Sequence, residues 1–153
     1  MSRRRKIVVT CVGLLLATIG YSLFGLYDTW RHIPEAYAAW DTGSLLVIYM
    51  RSHDDGWPAD WEDLLSVLEG KDSPAIMLRG RGSADADLEY ARSLRHRVAI
   101  DWSFDPDNAS RDAQPVTRPG GGRFPVVWSH GEPNELVHHY LQSRAESEPG
   151  AEQ

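Results

Sequence analysis

Six histidines are the first residues to question for chemistry. His138 and His139 are neighbours on an expected helix, so their side chains leave it in different directions and cannot hold one ion together. His53-Asp54-Asp55 offers donors, but no H-x-x-x-H or H-E-x-x-H spacing frames a metal site. Asp105, Asp107 and Asn108, with Asp112, form an acidic turn. A calcium loop of the EF-hand type would need Asp or Asn at 109 and Gly at 110, where Ala109 and Ser110 stand, so plain turn chemistry is expected. Gly120-Gly121-Gly122 does not lead a strand into a helix and is no phosphate cradle. Ser129-His130 lacks the glycines of a nucleophile elbow. Carboxylates abound, but a catalytic pair is defined by spatial separation, which a sequence does not give. No catalytic residue, metal site or cofactor site is expected, and the chain does not read as an enzyme.

The element that positions everything else is apolar. Residues 7–27 run without a charge, and at ~1.5 Å per residue a helix of that length reaches roughly 30 Å, the hydrocarbon thickness of a bilayer. Arg3-Arg4-Arg5-Lys6 precede it, and Arg31 is the lone basic residue between it and Arg51. That bias places the N-terminus in the cytoplasm and the rest across the inner membrane. Tyr27 and Trp30 fall where an interfacial aromatic belt belongs. Within the run, Thr10, Gly13, Ala17 and Gly20 make one small-residue stripe, a candidate interface for a second membrane helix or a second copy. Cys11, the sole cysteine, lies inside the run, so the remainder forms no disulfide and no cysteine-rich metal module. Ala36-Tyr37-Ala38 resembles a signal cleavage site, but the apolar run is too long and too distant from it; an uncleaved anchor is expected.

All 22 acidic residues follow position 27, against 12 of the 16 basic ones, so the expected outer part carries −10. Phosphate backbones need clustered Lys and Arg, so nucleic acid is not an expected partner. The expected organisation is a basic stub (1–6), a membrane helix (7–27), an extracytoplasmic α+β domain (28–144) and a disordered acidic tail (145–153).

Along that domain, Ile33, Tyr37, Trp40, Ser44, Val47 and Arg51 recur at helical spacing, with Ile48 widening the stripe. They predict an amphipathic continuation of the anchor, bent at Pro34 and weakened at Gly43. Asp54-Asp55-Gly56 turns the chain, and a helix is expected over 59–69 with Trp61, Leu64, Leu65 and Leu68 inward. A loop over 71–74, a short strand over 75–78, a turn over 79–82 and a helix over 83–94 follow. Val98, Ile100, Trp102 and Phe104 alternate with Ala99, Asp101 and Ser103, the pattern of a half-buried strand. Residues 110–123 read as exposed loop, 124–128 as a second, antiparallel strand, and Leu136, Val137, Tyr140 and Leu141 as the inward face of a last helix. Trp40, Trp57, Trp61, Trp102 and Trp128 are expected to supply core mass, or else to line a ligand groove.

An apolar helix running into an amphipathic one, ending in Leu45-Leu46-Val47-Ile48-Tyr49 before Asp54-Asp55-Gly56-Trp57-Pro58 and a Leu-rich helix, resembles type IV pilins and type II secretion pseudopilins. The resemblance covers roughly residues 7–69 and implies a long N-terminal helix with a small α+β head. The family's processing signal, Gly with Glu five residues later, has no counterpart, since Gly13 is followed by Thr18 and Gly20 by Gly25. The likeness is therefore one of architecture. Three function classes stay open: an anchored structural or assembly subunit, which is the expected one, an anchored binding module with its site on the 105–123 region, and an enzyme.

Overall fold

The computed structural model describes residues 3–68, 84–110 and 112–147. Its elements are helices and a minimal sheet: α1 Arg3–Ser52, α2 Trp61–Leu65 with a 3-10 turn Ser66–Leu68, α3 Ala84–Leu94, β1 Ala99–Ile100, β2 Val116–Thr117 and α4 Pro133–Ser147. The class is α+β. The chain divides into two compact units, Met1–Ile33 and Pro34–Gln153.

Among its described residues the first unit is helix alone. α1 continues through Pro34 without a break. An exposed helix in water would carry polar residues at most of its surface. Here Leu14, Leu15, Leu16, Phe24 and Leu26 are all exposed, Tyr21 is 82% exposed and Trp30 78%. Thr18 and Thr29 turn their hydroxyls back onto the Leu14 and Gly25 carbonyls at 2.9 Å, leaving no free donor on this surface at those positions.

The second unit packs around the C-terminal part of α1. The buried positions there are Ala36, Ala38, Ala39, Asp41, Thr42, Gly43, Leu45, Leu46, Tyr49 and Met50. The expected stripe of Ile33, Tyr37, Trp40, Ser44, Val47 and Arg51 is instead the half-buried to exposed side of the helix. Residue size misled the pattern. The wrapped face is small at Ala36, Ala38, Ala39 and Gly43, where neighbouring elements close in on the backbone, and large at Leu45, Leu46, Tyr49 and Met50, which fill the core. At Gly43 a Cβ would lie 2.8 Å from the Pro133 Cα, so α4 starts directly on the α1 backbone. Leu64, Leu65, Ala91, Leu94, Val98, Ile100, Val116, Phe124 and Val137 complete one aliphatic core.

The tryptophans do not form that core. Trp40 is 41% exposed and Trp128 38%, while Trp57, Trp61 and Trp102 are half-buried at its margin. They stack in edge-on pairs, Trp61 on Trp102 and Trp57 on Phe104, with centroids 5.6 and 4.7 Å apart.

β1 and β2 pair antiparallel, Ala99 opposite Thr117 and Ile100 opposite Val116. Val98 and Ile100 are buried and Asp101 and Ser103 exposed, as the alternation predicts, but regular strand ends at Ile100 and Trp102 and Phe104 are only half-buried. The partner strand lies at 116–117, inside the stretch expected to be loop, and 124–128 is irregular. Two residues suffice because Asn134 of α4 closes the other side of β2: the Val116 N–H donates to Asn134 Oδ1, and Asn134 Nδ2 donates to the Val116 carbonyl, each at 2.9 Å. Glu132 in turn accepts from Asn134 Nδ2 and from the Glu135 N–H, capping α4.

The turn after α1 uses left-handed backbone at Asp54 and Asp55 (φ 49° and 63°). Asp tolerates that region better than most residues. Asp55 accepts from the Tyr140 hydroxyl and pairs with Arg144 at 3.1 Å, and Arg144 also reaches Asp107 at 3.1 Å. These bonds carry α4 to Ser147, past the expected start of the tail at 145. The strand expected at 75–78, its flanking loop and turn, and the rest of the tail lie outside the described residues.

Candidate functional site

The stripe proposed from sequence stands open. A Cβ added at Gly13 or at Gly20 would meet nothing within 4 Å, and Ala17 is exposed between them. The side chain of Thr10 lies outside the described set. Apolar side chains are exposed right round this part of α1, so the stripe is its smoothest track and not its only apolar one. α1 is, among the described residues, the one helix long and apolar enough to cross a membrane. Asp28 and His32 follow the run, and His32 Nδ1 lies 2.8 Å from the Asp28 carbonyl and 3.8 Å from its carboxylate.

Among the described residues no three or more metal-ligating side chains converge. His138 Nε2 is 2.8 Å from the Ala113 carbonyl, which fixes the 112–114 segment to α4, while His139 is exposed. His53 lies flat on the Tyr49 ring, centroids 4.0 Å apart. The acidic turn is held by its own bonds, with Asp107 also reached by Arg144 of α4. Asp105 accepts from Asn108 Nδ2 at 2.7 Å and from the Asp107 N–H at 3.0 Å, and these two bonds hold its carboxyl below the usual range. Ser129 and His130 are exposed in a turn, His130 with φ 62°.

Among the described residues of the second unit, three cavities can be described, and none of the three is lined by a tryptophan. One, of about 350 Å³, lies beside the Asn134 clamp, with Phe124 and Val127 as its apolar floor and Arg123, Glu135 and His138 at its rim. A second, of about 310 Å³, is a groove between Val47, Ile48 and Arg51 of α1 and Leu136, His139 and Tyr140 of α4. The largest, of about 550 Å³, is walled by Pro34 and Tyr37 at the start of the unit and by Glu89, Tyr90, Ser93 and Arg97 on and after α3.

The Tyr90 hydroxyl donates to the buried Asp41 carboxylate at 2.6 Å, which fixes the ring that lines this largest cavity. Ser93 donates its hydroxyl proton to the Tyr90 carbonyl at 2.6 Å, leaving the oxygen free to accept. Among the described residues neither Arg97 nor Glu89 has an ion-pair partner, and they do not pair with each other. Sequence reasoning did not single out this group. Glu89 and Arg97 stand eight apart on and just beyond a helix, and only packing against residues 34–37 makes them walls of one space. No family model, curated protein or solved structure matches the chain.

Proposed function

We propose that the protein is a single-pass subunit of the inner membrane, held by α1, with its N-terminus in the cytoplasm and residues 34–147 outside, and that its role is structural or in assembly, pilin-like in architecture. The observation that carries this reading is the exposed apolar surface all round α1 between Val12 and Trp30, a surface that only lipid or other membrane helices would cover at low cost. Arg3 to Lys6 before it and the scarcity of basic residues after it support the orientation. Ala36 and Ala38 are both buried within α1, which favours an anchor retained over one cleaved there.

The test is protease added to spheroplasts whose outer membrane face is open. Residues beyond about 34 should be digested and the N-terminal stub spared; protection of the acidic domain would overturn the orientation. Association through the stripe is tested separately. Gly13→Leu with Gly20→Leu keeps the helix apolar, so membrane level should hold while crosslinks to a partner or second copy disappear. An anchored binding module is the second reading, favoured by the cavity that Arg97 and Glu89 share.

A further inference from the structure

We draw no further inference here: the strongest candidate, the exposed aromatic patch that Trp40 and Trp128 form about Tyr37 on the second unit, with Val127 beside it, is an apolar surface, and nothing among the described residues shows what covers it.

Discussion

The Asn134 side chain takes the place of a strand against Val116. Its amide donates to the Val116 carbonyl and accepts from the Val116 N–H, both at 2.9 Å, in a site where Asn134 is 6% exposed and Val116 1%. β2 is thus sandwiched between β1 and a single side chain, and α4 is fastened to the sheet without a helix–strand seam of its own.

Asn134→Ala should therefore be among the costliest single changes in the domain. It leaves two buried backbone groups unpaired, at about 1–3 kcal/mol each, and frees Glu132 from its second partner. The urea midpoint should fall by the equivalent of about 2–4 kcal/mol, with Asn134→Gln failing to restore it because the longer amide overshoots both groups. A loss under about 1 kcal/mol would mean that water replaces the amide.

Gly43→Ala separates local propensity from packing. Helix propensity alone favours Ala by about 1 kcal/mol. The new Cβ would meet the Pro133 Cα at 2.8 Å, a backbone atom that yields only if α4 moves, and the end of the flexible Leu136 side chain at 3.0 Å. A net loss of about 1–3 kcal/mol is expected in thermal unfolding. A raised melting temperature would show that the start of α4 shifts freely.

Thr42 is fully buried, and its hydroxyl has no hydrogen-bond partner among the described residues. Thr42→Val keeps the shape and removes the unsatisfied group, so stability should hold or rise by about 1 kcal/mol. A clear loss in denaturant titration would reveal a partner for the hydroxyl.

Asp63 and Tyr49 give stability a pH dependence at both ends. The Ala59 N–H at 2.9 Å, followed by the Tyr49 hydroxyl at 2.7 Å, holds the Asp63 carboxyl below the usual range despite its burial. A depressed folded value means a contribution present above about pH 4 and lost as pH falls through that lower value. Burial first, then Asp63, pushes the Tyr49 phenol up to about 12. That contribution is present below about pH 10 and lost as pH rises toward about 12. Asp63→Asn should flatten the acid limb of a stability–pH curve, and Tyr49→Phe the alkaline limb and part of the acid one. An unchanged acid slope in Asp63→Asn would assign that limb to other carboxylates.

What the sequence determined by itself are the features that one residue's neighbours along the chain can decide. The uncharged run over 7–27 makes a helix of bilayer length whatever follows, because its backbone must satisfy itself and its side chains need no partner to be apolar. The turn at Asp54-Asp55-Gly56 and the alternation around Val98 and Ile100 were legible for the same reason, being local preferences of short segments. Tertiary structure decided which side of α1 is buried. Large residues at helical spacing marked one face, but the buried one joins Ala38, Ala39, Thr42 and Gly43, where elements approach closely, to Leu45, Leu46, Tyr49 and Met50, which fill the core, while Tyr37, Trp40 and Val47 stay half-buried or exposed. It also decided where β2 lies. Two residues carry no strand period, and Val116 is held as strand by Ile100 opposite and by Asn134, eighteen residues along the chain. The cavity of Arg97 and Glu89 depends on the same kind of fact: its walls come from positions 34–37 and 89–97, and charge placed in a shared space has no signature along a chain.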